Sequence, residues 1–161
     1  MNFDEAFERL LGNEGGLVDN PADPGGLTRW GISQRSYPDL DIRNLTEVDA
    51  RAIYQRDFWD VLGADQYDGA VGFQLFDIAV NSGVRNAARI LQRAADVPDD
   101  GVVGPQTRAA VAAMSVPAVL LKLNAERIGF YTANQNWLTF GKGWSNRVAN
   151  NLRYAAEDIA T

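Results

Sequence analysis

The chain has 161 residues, 46% of them hydrophobic, which is enough for one substantial core and too little for a second independent one. It holds no cysteine and no histidine, which excludes thiol nucleophiles, imidazole bases, Ser-His-Asp triads and zinc sites built on those ligands, and leaves carboxylates for proton chemistry. The net charge of −6 argues against a nucleic-acid partner, and it is unevenly spread: residues 1–68 carry 14 acids and 6 bases, residues 69–161 carry 7 acids and 9 bases.

Residues 1–10 are acidic and amphipathic, unlike a secretory signal, and no apolar stretch approaches the roughly 20 residues of a membrane span. Synthesis in the cytoplasm without membrane insertion is the expectation. Phe3, Phe7, Leu10 and Leu11 recur at helical spacing, which predicts a helix over 3–14 stopped by Gly15-Gly16. Residues 17–35 mix Pro21, Pro24, Gly25, Gly26 and Gly31 with short stretches of Leu, Thr, Trp and Ile, a pattern for turns and a small β-ribbon. Thr46 and Asp49 form a capping-box pattern that opens a helix through about Leu62. A buried helix follows from Gly69 to Ser82, stopped by Gly83, and another across Arg85–Ala95. Residues 98–105 read as a loop, Pro105 and Pro117 suit the first turns of two further helices, and Trp144–Ile159 gives the last. The fold expected is mainly α (α+β), a single domain over 1–161 with about six to eight helices and one ribbon near 17–35. Within it, residues 1–68 form the lobe with the first helix and ribbon, and 69–161 a helical lobe.

Proton chemistry points first to Glu14. At about 100° per residue it would fall within roughly 20–40° of Phe3 and Leu10, on the apolar stripe of its helix, where partial desolvation raises a carboxyl pKa and suits a general acid. The double glycine after it lets backbone run close beneath a bulky substrate. Nine residues on, Asp23-Pro-Gly-Gly-Leu-Thr28-Arg-Trp30 places a second carboxylate and a hydroxyl in the ribbon. Glycosidases need one protonated and one ionised carboxyl; Asp23 on a polar turn suits the latter, and Thr28 can hold the attacking water. Each feature also has a structural reading: a Glu at a helix end is commonly solvated or paired with Arg, and Asp-Pro-Gly-Gly is a good turn.

Asn13-Glu14-Gly-Gly, Asp23-Pro-Gly-Gly-Leu-Thr28 and Gly31-Ile32 together resemble the signature of the glycoside hydrolase 108 family. The resemblance continues through 54–59, 76–83, 100–107 and 143–147, and so covers nearly the whole chain. It implies a lysozyme-like N-acetylmuramidase of the kind found among phage endolysins, cleaving the β-1,4 bond between N-acetylmuramic acid and N-acetylglucosamine in bacterial peptidoglycan. Glu14 carries over as catalytic acid, with Asp23 as second carboxylate and Thr28 as the water-positioning group; Asp19 is the alternative to Asp23. By likeness to phage lysozymes, inversion is expected. Leu17 departs from the pattern, since an aromatic residue commonly follows Glu-Gly-Gly in such relatives.

Gln74, Asp77 and Asn81 form a polar stripe on an otherwise apolar helix, and such groups must bond to protein or to ligand. Sugar hydroxyls and acetamido groups are suitable partners, with Asn81 the first choice, or else a satisfied core amide. Trp30, Trp59, Tyr131, Trp137 and Trp144 are candidates for stacking on sugar faces, Trp30 foremost for its place beside Thr28, although aromatics in helical domains are more often core. Residues 100–107, after Leu91-Gln92, resemble the loop of small peptidoglycan-binding helical modules. No metal and no cofactor is expected. The expected setting is a monomer made in the cytoplasm that reaches the wall by another route, such as a holin. The rival readings are a lytic transglycosylase and an inactive wall-binding or secretion-assisting protein.

Overall fold

The computed structural model describes residues 1–12, the backbone of 18–19, and residues 26–160. Helix α1 (Phe3–Leu11) opens on a reciprocal cap, with the Glu5 amide on Asn2 at 3.0 Å and the Asn2 amide on Glu5 at 2.9 Å. It ends at Gly12, whose φ of 54° leaves the helical region and whose N–H bonds the Glu8 carbonyl. The helix therefore stops before the expected Gly15-Gly16. Glu14 and Asp23 lie outside the described residues, as do the side chains of 18–19.

The ribbon is a three-stranded antiparallel sheet in the order β1 (Val18–Asp19), β2 (Leu27–Arg29), β3 (Ile32–Ser33). Val18 pairs with Thr28 and Asp19 with Leu27, while Arg29 pairs with Ile32 across a two-residue turn. Both turn residues have positive φ, Trp30 at 52° and Gly31 at 76°, the sign pattern of a type I′ hairpin.

The rest is helical. Thr46 caps α2 (Glu47–Tyr54) in the expected reciprocal box with Asp49. The helix runs on through a π-helical turn, Gln55–Trp59, and α3 (Asp60–Leu62), ending at Gly63 in the left-handed region. Asp68 caps α4 (Gly69–Ser82), and Gly83 separates it from α5 (Val84–Ala94). Pro105 and Pro117 lie in the first turns of α6 (Pro105–Ala112) and α7 (Val116–Thr132). The last helix, α8 (Trp137–Ile159), begins seven residues before the expected Trp144.

Two cores share α4. On one side Phe3, Phe7, Tyr54, Trp59 and Phe76 meet edge to face or tilted at ring separations of 5.6–6.1 Å, and Phe73 packs with them. On the other, Val71, Leu75 and Ile78 pack with Ile90 and Leu91 of α5 and with Leu120 and Leu123 of α7. Arg51 fastens α2 to α1 through Asp4 and Glu8, with its guanidinium 4.4 Å over the Phe7 ring. Arg9 meets Asp158 at 2.7 Å, fastening α1 to the far end of α8. Among the described residues no helix is long and apolar enough to cross a membrane, and no group of acids could hold a metal ion.

Candidate active site

The hairpin turn is seated from beneath by side chains of the helical part. Tyr54 donates its hydroxyl to the Trp30 carbonyl at 3.2 Å, and the Trp30 indole N–H donates to the Leu45 carbonyl at 3.1 Å. A Cβ at Gly31 would sit 2.5 Å from the Tyr54 oxygen, so the chain needs glycine there for room as well as for its φ. Trp30 holds a left-handed conformation that is unusual for a bulky residue, fixed by these two bonds. Its indole edge is thus engaged with protein, and its half-buried ring packs against the aromatic core. Burial pushes the Tyr54 phenol up to about 12, so it stays a donor throughout the neutral range.

Beside the turn lies a cavity of about 260 Å³ between the ribbon, the π-helical turn and the end of α4. Ile32, Ser33, Tyr37, Tyr54, Phe58 and Val80 line it. Tyr37 donates to Asp57 at 2.8 Å, and burial together with that carboxylate raises its phenol pKa. Asp57 is held below the usual carboxylate range by its bonds to Arg56 and Tyr37. Thr28, directly across the ladder from Val18, is half-buried; its hydroxyl makes a long 3.4 Å contact to the Gly26 carbonyl and keeps capacity for a better partner.

The polar stripe of α4 turns inward. Gln74 is fully buried, donating to the Asn151 carbonyl at 2.6 Å and accepting from Asn124 at 3.4 Å. Asp77 accepts from Arg127 at 2.7 Å, from Asn151 at 2.5 Å and from Arg147 at 2.9 Å. Burial opposes its ionisation, but the two guanidinium groups prevail and hold the carboxyl below its ordinary range. Tyr131 is buried as well, its ring stacked on Trp144 at 4.9 Å. These placements correct the expectation that Gln74, Asp77 and Tyr131 face a ligand: their polar atoms are taken up by protein. Trp59 is likewise core, 3% exposed.

The exposed end of this network is Asn81. Arg127 can only donate, so its Nε bond to the Tyr131 oxygen, at 2.9 Å, leaves the phenolic proton for Asn81, 2.6 Å away. The Tyr131 hydroxyl must therefore meet Asn81 Oδ1, and the Nδ2 group is left to point outward as a double donor. A chain of one-way bonds from Asp77 fixes which face of the amide is offered. Arg127 was not singled out from the sequence, yet a signal was present: it occupies the apolar stripe of α7 with Leu120, Leu123 and Tyr131, where a cation requires a buried acid.

A helical frame with a short ribbon at one edge, and a groove beside that ribbon, defines a lysozyme-like fold, and the matched family segments define its class as a glycoside hydrolase acting on peptidoglycan. Residues 7–83 match the model described as Glycosyl hydrolase 108, and residues 82–149 match a "Predicted Peptidoglycan domain". The chain belongs to the glycosyl hydrolase 108 family. It is similar to a solved structure, Brucella abortus SagA, at 31% identity over 98% of this chain and 94% of that one, with a TM-score of 0.88. Among curated proteins no match is found. The two segments meet at the α4–α5 junction, and α4 packs against helices of both.

Proposed function

We propose that the protein is an N-acetylmuramidase that hydrolyses the β-1,4 bond between N-acetylmuramic acid and N-acetylglucosamine, with Glu14 as general acid. The observation that carries this reading is the position of Glu14 in a Glycosyl hydrolase 108 segment, between the end of α1 at Gly12 and the first ribbon strand at Val18. Asp23 is the second carboxylate and Thr28 orients the attacking water, with Asp19 the competing assignment. Asn81 donates through Nδ2 to an acceptor on the sugar, the acetamido carbonyl being the strongest available, and Trp30 offers a ring for stacking on a sugar face. Inversion follows if the two carboxyls stand about 6.5–9.5 Å apart, and retention if about 5–5.5 Å apart. The enzyme acts as a monomer on the wall after release from the cytoplasm.

Replacing Glu14 with Gln is expected to lower the lysis of purified sacculi by about 10²–10⁴-fold while leaving sacculus binding intact. Lysis by the variant at the wild-type rate overturns the assignment. Mass spectrometry of the products separates hydrolysis from transglycosylation: reducing muramic ends are expected, and 1,6-anhydro ends would count against the hydrolase.

A further inference from the structure

A second cavity, of about 330 Å³, opens away from the ribbon, where the residues before α4 meet α6 and the start of α7. Val71, Val111, Met114 and Val119 wall it, and the three valines are core residues no more than 6% exposed. Its polar lining is Tyr67, Asp68 and Arg108, with Gln66 beside them. The Tyr67 hydroxyl and the Arg108 Nε are buried and have no hydrogen-bond partner among the described residues. Buried donors left empty are costly and uncommon in folded proteins. Burial raises the Tyr67 phenol pKa and the nearby Arg108 charge pulls against it, which sets the two groups close together. Asp68 caps α4 with one oxygen, 2.9 Å from the Ala70 amide, and is exposed to the cavity mouth.

This lining selects its occupant by elimination. A simple anion would satisfy Arg108 and Tyr67 but meet the Asp68 charge. A simple amine would satisfy Asp68 but meet Arg108. A plain hydrocarbon would leave both donors empty. One common group answers all three: an α-amino carboxylate, its carboxylate on Arg108 and Tyr67 and its ammonium on Asp68, carried on methylenes that lie against the valines.

We propose that this cavity binds an α-amino-carboxylate zwitterion on an apolar stem. Resting on the peptidoglycan reading above, the wall supplies that chemistry as the free end of a diaminodicarboxylic acid in the stem peptide; a free amino acid supplies the same groups. The cavity takes Tyr67, Asp68 and Val71 from the hydrolase segment and Arg108 through Val119 from the peptidoglycan segment, so an occupant bridges the two.

The test is an NMR titration of the full chain, following the methyl groups of Val111, Met114 and Val119 with D-norleucine, hexanoate and pentylamine. Norleucine is expected to shift them saturably, with the other two at least about tenfold weaker, and Arg108→Gln to weaken norleucine by at least about tenfold. Tyr67→Phe should weaken it several-fold in an unaltered fold. The proposal is overturned by no saturable shift, by hexanoate or pentylamine binding as tightly as norleucine, or by undiminished affinity in Arg108→Gln. A muropeptide bearing meso-diaminopimelate that competes with norleucine, where its lysine counterpart does not, identifies the wall as the source; failure of both to compete identifies a free amino acid. Glu14→Gln leaves this titration unchanged, so loss of the muramidase reading and loss of this site are read separately.

Discussion

The aromatic core beneath the ribbon and the aliphatic core between α4, α5 and α7 are built on opposite faces of one helix, and they hold their shapes differently. In the first, Phe76 meets Phe3, Tyr54 and Trp59 in three edge-to-face contacts, and the Tyr54 hydroxyl reaches out of the core to fix the hairpin. In the second, aliphatic side chains fill the space between the helices. Oriented rings suit a core that must present a turn at a fixed height; interchangeable methyl groups suit one that only has to hold helices together. Between the two runs the Asp77 network, which belongs to neither.

The largest expected effect lies in that network. Asp77→Ala leaves the fully buried Arg127 without its counter-charge and is expected to cost about 3–5 kcal/mol in denaturant unfolding. Because the Asp77 carboxyl is depressed in the folded state, the stability it adds is present above its unfolded value near 3.9 and is lost as pH falls through the lower folded value. The comparison of the cores is tested by a pair of mild substitutions. Phe76→Leu should cost about 2–4 kcal/mol through the lost ring contacts, against less than about 1.5 kcal/mol for Leu123→Met. Equal costs would remove the distinction between the two cores.

Alkaline titration sharpens it further. Tyr54 is neutral when folded up to about 12, whereas an unfolded tyrosine ionises near 10. Its contribution is therefore intact below pH ~10 and is lost as pH rises towards 12, about 2–3 kcal/mol in all, and Tyr54→Phe should flatten that limb of the stability profile. The smallest effect is expected at Tyr131→Phe: about 1 kcal/mol of stability, together with a KM increase at little change in kcat, because Asn81 is then free to turn its carbonyl outward.

Several elements were legible in the sequence. The Thr46–Asp49 box and the span of α4 are local features, fixed by caps within a few residues, and they appear where expected. What failed was non-local or concealed. Gly12 ends α1 before the conspicuous Gly15-Gly16 because one residue at φ 54° suffices. Helix α8 was expected from Trp144 but starts at Trp137 and runs through Gly141 and Gly143. At Gly141 the reason is packing: a Cβ there would lie 2.7 Å from the Trp137 ring. The polar stripe of α4 was correctly found, but its partners Arg127, Arg147 and Asn151 lie 50 to 74 residues further on, and periodicity carries no information about them. Burial of Gln74 and Tyr131 followed from those same distant helices.

The bond between Arg9 and Asp158 joins residues 149 positions apart. During synthesis α1 leaves the ribosome well before the acid that anchors it and the Tyr154 ring that covers the same guanidinium. Contacts of such long range form late and slow the closing steps of folding. The helix leading into the Glu14 segment is therefore fastened only once α8 has been made, and a chain interrupted before that point carries the segment without the strut that steadies α1.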